Sequence, residues 1–244
     1  MASSSHVTDG SPASAPPAPA GAHPITLPGG SLLWLLPQRA VWWPTARTVF
    51  VADVHFGKAA SFRRAGQPVP HGTTADNLAR LDALLAATGA GALVFLGDFL
   101  HARSGADAAL WAQLLPWRER HAAVQMTLVR GNHDVHAGDP PPVLRIALAE
   151  EPWQPLPGCE LRACHHPQAV PGATVLAGHW HPAVTLHGRA RDALRLPCFA
   201  WQPGPSALLV LPAFGAFTGT ARDAVVPAAQ RFAIAGARVV PVPP

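Results

Sequence analysis

Cysteine is scarce: Cys159, Cys164 and Cys198 are the only three in 244 residues, unevenly spaced and without a CxxC pair. That excludes a disulfide framework and a thiolate-held structural zinc, and a reducing compartment is the simple expectation. Charge is scarce too, since Asp, Glu, Lys and Arg make up 13% of the chain. The net +4 is carried mostly by arginine and describes a mildly positive surface without a polybasic tail, which tolerates an anionic partner without requiring one. No apolar run approaches the roughly 18 to 20 residues that span a bilayer, and no basic segment followed by an apolar one opens the chain. A cytoplasmic protein with no membrane association is expected.

Large apolar side chains are almost absent from residues 1–24, which are mostly Ala, Pro and Ser. Such a segment cannot offset its own ordering entropy, so a disordered extension is expected there, followed by a single domain over 25–244. Strand-like runs at 31–36, 40–43 and 47–52 lead to a helix at 73–87, with Leu78, Leu81, Leu84 and Leu85 on one stripe. A strand at 92–96, a helix at about 106–120 and a strand at 125–130 continue a βαβ rhythm. After Pro140-Pro141-Pro142 the segments become short strands separated by Gly and Pro. The expected fold is α/β, a four-layered αββα sandwich of two sheets with helices outside.

Five short polar motifs each follow an apolar run. They are Asp53-Val54-His55, Gly97-Asp98, Gly131-Asn132-His133-Asp134, Cys164-His165-His166 and Gly178-His179-Trp180-His181. At strand ends they can converge on one edge of an open sheet, where ligands collect in α/β folds. Carboxylate, imidazole and amide oxygen suit Mn²⁺, Zn²⁺ or Fe²⁺ and need no thiolate. Asp53, His55 and His181 could serve one ion, Asn132, His165 and His179 a second, with Asp98 bridging the two. Two such ions lower the pKa of bound water, so a bridging hydroxide can attack phosphorus in line. A phosphoester is the natural substrate. His133, beside Asn132 on what reads as extended backbone, is assigned as a catalytic residue that protonates or stabilises the leaving oxygen, with Asp134 available to orient its ring.

These motifs resemble the calcineurin-like metallophosphoesterase superfamily, whose DxH, GD, GNH(D/E), H and GHxH pattern is matched over about 47–187. The resemblance implies the same seven ligands, His133 as the catalytic histidine, and the αββα sandwich. Where the pattern often continues His-Glu-Pro, this chain has His165-His166-Pro167; His165, nearer the strand, is taken as the ligand and His166 is the alternative. Three segments make the chain similar, more narrowly, to the ligase-associated DNA damage response endonuclease family. The first is Ala52 to Lys58 with Ser61-Phe62-Arg63-Arg64-Ala65-Gly66, the second Gly97 to Arg103, the third Leu211-Pro212-Ala213-Phe214-Gly215-Ala216-Phe217-Thr218-Gly219. His101 stands where many superfamily members carry an acid.

That narrower resemblance implies a Mn²⁺-dependent DNA phosphodiesterase, acting on single-stranded or damaged DNA beside an ATP-dependent DNA ligase and a helicase. Lys58, Arg63, Arg64 and Arg103 are candidate contacts to flanking phosphates, against the plainer reading of a solvated helix face. Trp34, Trp42 and Trp43 fall in strand-like runs and Trp111 and Trp117 in a helix, so these five are assigned to the core, while Trp180 lies within the metal motif. The 211–219 segment reads as a β-hairpin of the second sheet. Two other functions fit the same residues: hydrolysis of nucleotides or other small phosphoesters, and a non-catalytic scaffold in a repair complex.

Overall fold

The computed structural model describes residues 18–69, 71–188, 192–220 and 229–243. One sheet holds seven strands in sequence order, β1 (His23–Thr26), β2 (Leu32–Leu36), β3 (Ala40–Trp43), β4 (Thr48–Ala52), β5 (Ala92–Leu96), β6 (Gln125–Val129) and β7 (Ile146–Ala149). β1 to β4 form an antiparallel meander; β4 to β7 run parallel. The second sheet is built from β8 (Leu161–Ala163), β9 (Thr174–Ala177), β10 (Ala183–His187), β11 (Ala193–Gln202), β12 (Ala207–Val210), β13 (Gln230–Ala235) and β14 (Arg238–Val242), with β8, β9 and β12 parallel.

Period-two alternation decides what each face buries. From β4 and β5, Phe50, Ala52, Val94 and Leu96 face Leu176, Phe199, Trp201 and Leu209 of the second sheet. Their neighbours Val49, Val51, Leu93 and Phe95 pack instead with Leu81, Leu84, Leu114 and Trp117. Those last four belong to α2 (Thr73–Thr88) and α3 (Ala108–Arg120), so helices cover the outer face of the first sheet. Burial on both faces is why β4 and β5 read as unbroken apolar runs. Asp107, whose carboxylate accepts from the Leu110 N–H at 2.9 Å, caps α3 two residues later than expected. Among the described residues no helix packs on the outer face of the second sheet, which carries Cys164, Val175, Ala177, Ala200 and Val210. Of the five tryptophans assigned to the core, Trp42, Trp43 and Trp117 are buried, and Trp34 and Trp111 pack against the core partly buried.

Three expectations change. Residues 1–17 lie outside the described residues, but His23 and Pro24, assigned to the disordered extension, pair with Leu35 and Trp34 in β1. The 211–219 segment is not a hairpin. It crosses the end of the first sheet, where the Phe214 N–H donates to the Ala52 carbonyl at 2.8 Å and the Gly215 N–H to the Asp53 carbonyl at 3.2 Å. Lastly, Asn132 and His133 are not on extended backbone but open a short helix, α4 (Asn132–Ala137).

Candidate metal centre

Each of the five motifs follows the end of a parallel strand: β4, β5, β6, β8 and β9 in turn. Their side chains meet in two groups. His165 Nε2 lies 2.9 Å from Asn132 Oδ1, 3.0 Å from His179 Nδ1 and 3.4 Å from Asp98 Oδ1. In the other group, Asp98 Oδ2 is 3.7 Å from His55 Nε2, and His181 Nε2 is 3.5 Å from Asp53 Oδ1. Asp98 thus turns one oxygen to each group.

These residues fit divalent ions on three observations. Ligands about 2.1 Å from one metal lie about 3 Å from each other, which is the spacing found, and imidazole and amide lone pairs converge at His165 with no cation of their own. Two atoms that face the second group, Asp53 Oδ1 and His181 Nε2, are among the six buried polar side-chain atoms without a hydrogen-bond partner among the described residues. Among the described residues, five of the eight non-glycine positions with positive φ are Asp53, His55, Asp98, His179 and His181, so backbone strain collects where the donors are. Burial holds the His55, His165 and His179 rings below the usual imidazole pKa, hence neutral and able to ligate. It also pushes Asp98 up to about 6, helped by the neighbouring Asp53 carboxylate, a penalty that cations remove.

Glycine precedes three of the ligands because another ligand occupies the space of its side chain. A Cβ on Gly131 would sit 2.5 Å from Asp98 Oδ1, and one on Gly178 would sit 2.6 Å from Asp53 Oδ2. At Gly97, where φ is +75°, it would come within 2.1 Å of the His165 ring. Gly97→Ala is therefore expected to cost on the order of 3 kcal/mol, read as a lowered Tm, and to weaken metal retention.

Backbone carbonyls fix the rings. His165 Nδ1 donates to the Leu96 carbonyl at 3.1 Å and His181 Nδ1 to the Gly219 carbonyl at 3.1 Å, which leaves each Nε2 lone pair turned inward. Asn77 ties that second support down. Its amide donates to the Val54 carbonyl at 3.3 Å, and its oxygen accepts from the Ala216 N–H at 2.9 Å, joining the 213–219 loop to the first motif. Sequence reasoning missed Asn77, although a polar residue beside Leu78 and Leu81 on an apolar stripe was the available signal. Asn77→Ala is expected to weaken Mn²⁺ binding about 10- to 100-fold, measured by calorimetric titration of the chelated protein.

The remaining assigned residues separate. His133 stands beside Asp98, with its N–H donating to Asp98 Oδ1 at 3.0 Å and Nε2 4.0 Å from Asp98 Oδ2. Asp134 does not orient its ring. Both Asp134 oxygens are taken by backbone N–H groups, of Gly131 at 2.9 Å and of Phe99 and Leu100 at 2.9 and 3.2 Å. The buried carboxylate thereby locks the second motif to the third, and burial raises its pKa to about 6. The ring partner is the His101 carbonyl, 2.9 Å from His133 Nδ1, and the His101 ring stacks on His133 at 4.9 Å. His166, the alternative ligand, groups with His165 and His179 but is less buried than His165. Its Nδ1 meets Glu151 Oε1 at 2.6 Å, and Glu151 Oε2 accepts from the N–H groups of both histidines. Nothing in the sequence near Glu151 signalled that brace.

Among the four basic residues, Lys58 opens α1 (Lys58–Arg64), and its ammonium is partly buried within the influence of Asp98 and Asp53. Arg63 is partly buried on the same helix. Arg64 pairs with Asp107 at 2.7 Å, and Arg103 Nε donates to the His136 carbonyl at 3.2 Å, so these two are held by the protein itself. A cavity of about 590 Å³ lined by Arg231, Phe232, Pro241 and Val242 contains none of these side chains.

Residues 46–167 match the family described as calcineurin-like phosphoesterase, half of the chain, including four of the five motifs. The chain belongs to that family. It is accordingly a metal-dependent phosphoesterase, a hydrolase whose family uses divalent metals, and the paired His and Asp clusters are where this member can hold them. The phosphoesterase is 42% identical to the Pseudomonas putida nuclease MPE, covering 91% of this chain and 100% of that one with a TM-score of 0.75. Yfce, a phosphoesterase from E. coli, is 19% identical over 80% of this chain and 97% of its own, with a TM-score of 0.43. No curated protein matches the phosphoesterase significantly. Among the described residues, no helix is long and apolar enough to cross a membrane.

Proposed function

We propose that the phosphoesterase is a nuclease, a dinuclear Mn²⁺-dependent phosphodiesterase that cleaves DNA as a member of the ligase-associated DNA damage response endonuclease family. The observation that carries this reading is the 42% identity along the full length of a nuclease, together with the complete set of donor residues. Asp53, His55 and His181 would hold one ion, Asn132, His165 and His179 the other, with Asp98 offering an oxygen to each. Metal ions at these positions supply a nucleophile near neutral pH and countercharge for the phosphate oxygens. His133, held by the His101 carbonyl beside Asp98, gives its proton to the leaving oxygen. Lys58, whose ammonium feels the charge of both Asp98 and Asp53, neutralises a phosphate of the bound strand. A cytoplasmic setting and cooperation with an ATP-dependent DNA ligase and a helicase belong to the same proposal.

Chelated protein reloaded with Mn²⁺, assayed on single-stranded DNA, bis-p-nitrophenyl phosphate and p-nitrophenyl phosphate, tests it. Cleavage of the DNA and the diester is expected. Hydrolysis of the monoester alone would replace it with a small-phosphoester phosphatase, and no hydrolysis at all with a scaffold.

A further inference from the structure

Seven of the nine phenylalanines are buried in the core; the two exceptions are Phe62 and Phe217. They are distant in sequence, yet their rings meet edge to face with centroids 5.6 Å apart. Phe62 reaches the His101 ring at 5.8 Å, His101 stacks on His133 at 4.9 Å, and His133 meets His55 at 5.0 Å. A continuous run of rings therefore leads from the partly exposed pair to the residue placed at the leaving group. Phe217 also lines a narrow crevice with His55 and Lys58, which places it beside a candidate ligand and a cation.

From this geometry we infer that Phe62 and Phe217 form a stacking platform for a nucleobase next to the scissile phosphate. The inference rests on the nuclease reading. A base hangs from the sugar adjoining its phosphate, so a phosphate seated on the metals brings that base against the wall that flanks them. Stacking tolerates every base, because each has a π-face, and it is open only to a base that is not already stacked inside a duplex. The platform thus makes unpaired strands the favoured substrate without selecting a sequence. Lys58, at the start of the helix that carries Phe62, contributes the phosphate contact beside it.

The test compares kcat/KM of the Mn²⁺ enzyme on a single-stranded oligodeoxynucleotide and on one of equal length whose bases are replaced by abasic tetrahydrofuran units. A preference for the base-bearing strand of about 5- to 150-fold is expected. Phe62→Ala and Phe217→Ala should each pull that ratio towards one, and Phe62→Trp should keep it. A wild-type ratio near one, with both strands cleaved, overturns the platform and leaves the nuclease reading standing, as does an equal loss on both strands in the alanine variants. Hydrolysis of bis-p-nitrophenyl phosphate with neither strand cleaved overturns the nuclease reading and the platform with it.

Discussion

Replacing Asp98 by alanine is expected to lower kcat for any phosphoester by at least about a thousandfold, because one carboxylate serves both halves of the centre. Its two oxygens face His165 Nε2 at 3.4 Å and His55 Nε2 at 3.7 Å. Stability should move the other way. With the metals removed, the ionised Asp98 is buried beside Asp53, and its pKa is raised to about 6. A carboxyl whose folded pKa exceeds its unfolded value destabilises the fold once it ionises, so the penalty grows as pH rises from about 4 and is complete above about 6. Asp98→Asn, which retains an acceptor for the His133 N–H, should therefore raise the Tm of chelated protein at pH 7 to 8, with the gain vanishing near pH 4. A thermal-shift series across pH, paired with turnover measurements, checks both halves; a lowered Tm at pH 8 would mean that the carboxylate is structural.

His133→Ala is expected to cost about 100- to 10,000-fold on DNA and less than about 10-fold on bis-p-nitrophenyl phosphate. The alkoxide leaving from DNA needs a proton, whereas p-nitrophenolate leaves as a stable anion. The geometry supports proton donation, because His133 Nδ1 is committed to the His101 carbonyl at 2.9 Å and only Nε2 remains to face a leaving group. Mn²⁺ stoichiometry should be unchanged in the variant. Equal losses on the two substrates would show that His133 acts on the phosphate or the metals and not on the leaving oxygen.

The central half of the fold was legible because β4, β5 and β6 are covered on both faces and so appear as short apolar runs, each ending at its motif. Their parallel pairing then brings Asp53, Asp98 and Asn132 to one edge. What escaped depends on partners far away in the chain. Asn132 to Ala137 is too short to show an apolar stripe, and its geometry comes from Asp134 holding the Phe99 and Leu100 N–H groups 35 and 34 residues earlier. Leu211 to Gly219 has the apolar content of a strand, but Asn77 and the carbonyls of Ala52 and Asp53 draw it across the sheet end instead. The basic residues were indistinguishable until Asp107 claimed Arg64 and the His136 carbonyl claimed Arg103. Phe62 and Phe217 look like any core phenylalanine in sequence, and only their incomplete burial sets them apart.

Anomalous scattering at the manganese edge, from crystals of the full chain soaked in Mn²⁺, tests the two-metal centre most directly. Two peaks about 3.5 to 4 Å apart are expected, one among Asp53, His55 and His181, the other among Asn132, His165 and His179, with Asp98 between them. A single peak, or two that do not share Asp98, would contradict it.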